Sequence, residues 1–315
     1  MSSAAEQITI TYTGSPANQL VLAAAPEFFV LNTSSISGTP LDRNTGKSIG
    51  AISYLESTSV LQTKGAGFTT LSFDDVYACS GASINACPLL TSLQFPELVY
   101  SAGTWQWNTH PLLTSFGAPK FVAVGGSFIA TAVAALTSLS LPRLESVGAD
   151  FTVNTMANLT TFSFPLLSQI GRTAAIGTMA SITSISLPLL TRVGNTTTIS
   201  TMAALTTISL PALVSLGGDF SATTSLGNVT TVTFGTVGTL LEVAGNITFS
   251  GQKLTQASVD QILAVIASLD GTNGTRSWGT GKTLTLSGGT NAAPSTAGSA
   301  NKDIIVARGA TVNVN

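Results

Sequence analysis

Seven carboxylates lie in the middle of this chain: Asp74, Asp75, Glu97, Glu145, Asp150, Asp219 and Glu242. Two of them held together could cleave a glycosidic bond, which needs one acid and one base or nucleophile flanking the link. Asp74 and Asp75 are the only adjacent pair, and neighbours on a strand point to opposite faces. Asp150 and Asp219 hold the same place in a 23-residue pattern, three steps apart, which is roughly 14 Å if each step is one strand spacing. That separation is too large for a working pair.

The other reactive residues are as sparse. His110 is the single histidine, so a Ser/His/Asp triad has one available centre, and no serine is framed by nucleophile-elbow glycines. It stands before Pro111 at an expected corner and reads as a surface or packing residue. Gly271–Thr275 lacks the Lys-Ser/Thr of a phosphate loop. Cys79 and Cys87 are too few for a metal site, and His110 is distant. They read either as two reduced thiols or as a short loop staple, according to redox compartment. No catalytic, cofactor-binding or metal-binding residue is assigned, and the chain is expected to be no enzyme.

Hydroxyl groups are different, because they are abundant and ordered. Ser138 and Ser140, Thr161 and Ser163, Ser184 and Ser186, Thr207 and Ser209, and Thr231 and Thr233 recur as pairs two residues apart. On stacked strands they make two columns, with rows about 4.7 Å apart and about 6.7 Å between columns. Such an uncharged lattice could bind a glycan, or even ice. A plain solvated strand face accounts for the same pattern, since Thr favours strands.

The elements that would position these groups are set by a repeat. Pro96, Pro119, Pro142, Pro165, Pro188 and Pro211 follow at unbroken steps of 23 residues. Each closes one phrase, as in Leu136-Thr137-Ser138-Leu139-Ser140-Leu141-Pro142 and Leu159-Thr160-Thr161-Phe162-Ser163-Phe164-Pro165. Copies begin at Phe68, Leu90, Leu113, Leu136, Leu159, Ile182, Leu205 and Val229, with the Leu113 copy degenerate at Phe116-Gly117-Ala118. Apolar and hydroxyl residues alternate, the pattern of a strand with one buried face. A step of this length marks a solenoid whose units bury their apolar faces against one another.

A second phrase ends in glycine (Gly148, Gly171, Gly194, Gly217), where a corner of positive φ is expected. A third alternates again, as in Phe151–Val153 and Phe220–Ala222. One coil therefore reads as about two short strands, a proline corner and a glycine corner. Trp105, Phe128, Phe151 and Phe220 are expected in one internal column, and Met156, Met179 and Met202 in another. The fold class is mainly all-β: a right-handed β-solenoid, leucine-rich-repeat-like, of about seven to eight coils. Ser258-Val259-Asp260-Gln261 has capping-box spacing, and apolar residues at helical steps predict an amphipathic helix over 256–269 that caps the stack. The predicted division is a cap or docking segment over 1–64, a solenoid over 65–252, and a capping module over 253–315.

Composition narrows the function classes. Only 8% of residues are charged and the net charge is -2, against about 25% charged in an average domain. No basic patch exists for nucleic acid. No apolar run approaches the 18 or so residues that insert in a bilayer. Met1–Glu6 has neither the basic nor the apolar segment of a secretory signal.

The Leu-Thr-x-Leu-x-Leu-Pro-x-Leu-x-x-Val/Ile-Gly phrase, over roughly Phe68 to Gly251, resembles the repeat of receptor L domains and related leucine-rich surface proteins. The phrases Leu269–Thr275 and Leu286–Pro294 resemble closing modules of repeat proteins in tailed-phage virions and some bacterial surface proteins. These resemblances imply a structural or adhesive protein of a phage particle, in tail, fibre or head decoration. Its expected place is the virion, and its expected partners are other virion proteins, further copies of itself (a homotrimer would suit a fibre) and a host-surface glycan. The alternatives are a bacterial cell-surface adhesin and a glycan depolymerase.

Overall fold

Each coil is built from three short strands and three bends. In the coil beginning at Thr137, Ser138–Ser140 is followed by a turn at Pro142, then Ser146–Val147, a glycine bend at Gly148, and Phe151–Asn154. The proline turn closes with Leu144 N–H donating to Leu141 C=O, so proline takes the second turn position, which its fixed φ favours. A further turn, Leu159 N–H to Met156 C=O, returns the chain to the start of the next coil. The computed structural model describes residues 69–73, 76–272 and 274–315, with the backbone of Ile8–Thr11, Gln19–Leu22, Phe28–Leu31 and Val60–Lys64. Phe68, Asp74, Asp75 and most of the N-terminal segment expected over 1–64 lie outside the described residues.

Stacking the coils gives a parallel β-solenoid with three faces. The broad face is a 12-stranded sheet running from Phe28–Leu31 to Thr311–Val314. The narrow face is an 8-stranded sheet of two-residue strands, Ala78–Cys79 to Glu242–Val243. The third face carries the Leu-Thr phrases and is hydrogen-bonded in three blocks, the last two being Ser138–Ser140 with Thr161–Ser163, and Ser184–Ser186 with Thr207–Leu210 and Thr231–Phe234. Three strands per coil, rather than two, is a correction to the sequence reading. The strand at Ser146–Val147 is too short for an alternation to be visible.

The core is the inside of this triangular tube. Trp105, Phe128 and Phe151 stand in register on the broad face, continued through Ala174 and Thr197 to Phe220. Phe128 and Phe151 stack at 5.5 Å between ring centres, a contact worth about 1 kcal/mol beyond burial. Met156, Met179 and Met202 form a second buried column, which Cys87, His110 and Val133 extend toward the N-terminal coils.

Glycine recurs for a reason other than the expected one. Gly148, Gly171, Gly194 and Gly217 do not have positive φ. A Cβ on Gly171 would lie 2.0 Å from the carbonyl oxygen of Gly148 in the coil beneath, and Gly194 and Gly217 repeat that 2.0 Å approach. Backbone touches backbone here, and no side chain fits between. The positive φ of each coil falls instead after the broad strand, at Ala86, Thr109, Ala132, Thr155, Thr178, Thr201 and Thr224.

The C-terminal end departs from the reading in detail. Helix α1 spans Gln256–Ala267, and its N-cap is Thr255, whose hydroxyl accepts from Ser258 N–H. Ser258 is thus inside the helix rather than its cap. The turn-rich stretch after it contains a second helix, α2, Thr296–Ala307, capped by Ser295. Thr283–Leu286 and Thr311–Val314 then extend the broad sheet beyond the last coil. Among the described residues no helix is long and apolar enough to cross a membrane.

Candidate functional site

The third face sorts its hydroxyls into two kinds by position. The residue that opens each phrase after its leucine, isoleucine, valine or phenylalanine is threonine in every copy: Thr69, Thr91, Thr114, Thr137, Thr160, Thr183, Thr206 and Thr230. Five of these hydroxyls, those of Thr91, Thr114, Thr160, Thr206 and Thr230, are turned onto the stack. Thr160 Oγ1 donates to Thr137 C=O and Thr206 Oγ1 to Thr183 C=O, both at 3.0 Å, and Thr91 and Thr114 donate in the same way one coil down. The threonine ladder spends its donors on coil-to-coil cohesion.

One residue further on, the hydroxyls are free to act outward. The strands alternate in exposure, so Leu139, Phe162, Ile185, Ile208 and Val232 are buried while both their neighbours face solvent. Ser138 is in register with Thr161 and Ser140 with Ser163. Ser184, Thr207 and Thr231 form one column of the second block, and Ser186, Ser209 and Thr233 the other. None of these ten side chains makes a hydrogen bond to another described residue. Adjacent Thr206 and Thr207 show the contrast: the first hydroxyl is consumed, the second is available.

Two other surfaces lack this property. On the preceding coils of the same face, Gln94 donates to Ser92 and Ser115, and Gly117 leaves the space that the Gln94 amide occupies. On the broad face the outward row is interrupted by Ile129, Ala175 and Gly177. The ten-residue array is the extended, uncharged, unspent hydroxyl surface among the described residues. As a surface it can exchange hydrogen bonds with a polyhydroxylated partner, each hydroxyl both donating and accepting.

Four of the acids are occupied elsewhere. Asp150 Oδ1 accepts from Thr173 N–H and Asp219 Oδ1 from Asn246 N–H, one coil onward in each case. They belong to a corner ladder in which Thr104, Ser127 and Asn246 do the same for Ser127, Asp150 and Thr283. Their shared place in the repeat therefore has a structural cause. Glu97 pairs with Lys120 at 2.6 Å and Glu242 with Arg276 at 2.9 Å. The ladder was invisible in the sequence because four residue types share the position and only the oxygen acceptor is common to them.

His110 is fully buried in the methionine column. Its Nδ1 accepts from Cys87 N–H at 3.3 Å and its Nε2 lies 2.9 Å from Ile84 C=O, so the neutral Nε2–H tautomer satisfies both. Burial pushes its pKa below the ordinary histidine value. Cys79 and Cys87 are both buried and unbridged, and burial raises the Cys79 thiol to about 11. Such a thiol is a poor nucleophile at neutral pH. No group of three or more metal-ligating residues occurs among the described residues. No family model, curated protein or solved structure matches the chain.

Proposed function

We propose that this chain is a non-catalytic display scaffold that binds a neutral glycan through its hydroxyl face, within a phage particle as a tail, fibre or head-decoration component. The observation that carries the binding part is the split between adjacent hydroxyls. Thr206 is used by the stack, whereas Thr207 and its nine companions are outward and unpartnered among the described residues. A solenoid cross-linked by ladders on three faces loses little conformational freedom on contact, so weak hydroxyl contacts are not offset by ordering. Many copies on one particle would add avidity. The particle setting is supported by the low charge and by the resemblance of Leu269–Thr275 and Leu286–Pro294 to virion repeat modules. The acids support the non-catalytic reading, since Asp150, Asp219, Glu97 and Glu242 each hold a structural partner.

The test is adhesion of the labelled chain to bacterial cells and to immobilised neutral polysaccharides. The array variant Ser184→Ala, Ser186→Ala, Thr207→Val, Ser209→Ala is compared with Thr206→Val alone. The array variant should keep wild-type stability and lose at least about tenfold in binding, roughly the loss of one or two net hydrogen bonds. Thr206→Val should bind normally and be less stable by about 1 kcal/mol. Unchanged binding by the array variant would refute the glycan face. Inhibition of ice growth without glycan binding would replace the ligand by ice.

A further inference from the structure

The three sheets end differently at the C-terminal side of the stack. The last strand of the third face, Thr231–Phe234, is closed by α1. Ser258 Oγ accepts from Val232 N–H at 3.1 Å, and Gln261 Oε1 from Phe234 N–H at 3.2 Å. Ser258 Oγ and Gln261 Nε2 in turn donate to Thr230 C=O and Gly235 C=O. The last strand of the narrow face, Glu242–Val243, is closed as well. Arg276 N–H donates to Leu241 C=O, Trp278 Nε1 to Gly245 C=O, and the Lys282 ammonium to Ala244 C=O.

The broad face ends on Thr311–Val314, which pairs on one side only, with Thr283–Leu286. Thr311 N–H donates to Lys282 C=O at 2.9 Å. Backbone direction alternates along a strand, so Thr311 and Asn313 face the sheet, and the N–H and C=O of Val312 and Val314 face away from it. Among the described residues nothing meets those groups. The usual guards of an open edge are charged side chains and proline, and residues 309–315 contain neither. Helix α2, packed beside this strand, leaves Ile304 and Val306 46% and 45% exposed.

The geometry points to a second copy of this chain as the partner of that edge, joined through antiparallel, two-fold pairing of Thr311–Val314 with itself. An edge of backbone donors and acceptors is met by another strand, and this strand is complementary to itself. Centring the axis on Asn313 sets Val312 opposite Val314 of the second copy and Val314 opposite Val312. Those are the residues whose backbone faces outward, so each pair exchanges two hydrogen bonds. Side-chain faces match too: the half-buried valines meet valines, and exposed Asn313 meets Asn313. Such an isologous contact closes on itself and gives a dimer rather than a filament. It does not depend on the glycan reading and is tested without glycan.

Sedimentation of the full chain over a wide concentration range is the experiment, with Val312→Pro and Asn313→Lys as variants. Wild type should show a reversible monomer–dimer equilibrium. Val312→Pro deletes an outward N–H while leaving the ladder to Thr283–Leu286, and should weaken dimerisation by about tenfold or more. Asn313→Lys changes an exposed side chain, sets two ammonium groups face to face, and should weaken the dimer most at low salt. A wild type that stays monomeric overturns the inference, as does a dimer indifferent to both variants. Species growing past the dimer would mean head-to-tail stacking and would overturn it equally.

Discussion

Gly171→Ala tests what holds the coils at their spacing. The new Cβ would sit 2.0 Å from Gly148 C=O, while a comfortable contact needs upwards of 3 Å, so the two coils must part locally by about 1 Å. That displacement strains the bonds from Gly171 N–H to Val147 C=O at 2.8 Å and from Arg172 N–H to Ala149 C=O at 3.0 Å. Two weakened backbone bonds at about 1 kcal/mol each, with added local strain, give a cost of about 2–4 kcal/mol. Because φ is not positive here, Gly171→Asn should be as harmful as Ala, although Asn tolerates left-handed backbone. Gly238→Ala is the opposite control: φ is +78° and nothing lies within 4 Å, so the cost is conformational only, about 1 kcal/mol. Native-state hydrogen exchange at Gly171, Arg172 and Gly194, read against a distant coil, gives the local free energy even if the solenoid unfolds in stages. A Gly171→Ala protein within 0.5 kcal/mol of wild type would refute the close-approach argument, as would rescue by Asn.

Two further predictions concern the other corner and the core. Thr155 has φ +59°, a conformation β-branched residues resist, so Thr155→Asn should stabilise by about 1 kcal/mol, seen as a higher denaturant midpoint. His110 is held neutral, with its pKa below the unfolded value of about 6.5. Below that pH the unfolded chain binds a proton that the folded chain refuses, so the His110 contribution to stability is intact above about pH 6.5 and falls as pH drops. His110→Met, the residue found elsewhere in its column, should flatten the difference between denaturant midpoints at acid and neutral pH. Parallel pH profiles for the two proteins would count against this account.

The sequence by itself determined the repeat and what repetition implies. Six prolines at a constant step, with alternation between them, required that Phe128, Phe151 and Phe220 line up, because identical units stacked in register put identical offsets in contact. The outward hydroxyl columns were legible for the same reason, since period-two alternation assigns a face without further information. Tertiary structure alone decided what each recurring residue is for. Glycine recurs because a neighbouring coil's carbonyl occupies its Cβ position, whereas the left-handed corner is carried by threonine and alanine. Thr206 and Thr207 are chemically identical and adjacent, yet only the fold turns one onto Thr183 and leaves the other to solvent. Asp150 and Asp219 were too far apart in the repeat to work as a pair, but only the coil above shows the donors that they accept from, and Ser258 looked like a cap until the edge at Val232 claimed its hydroxyl. A repeat constrains where a side chain points. The groups it meets lie one coil away, more than 20 residues along the chain, where local pattern carries no signal.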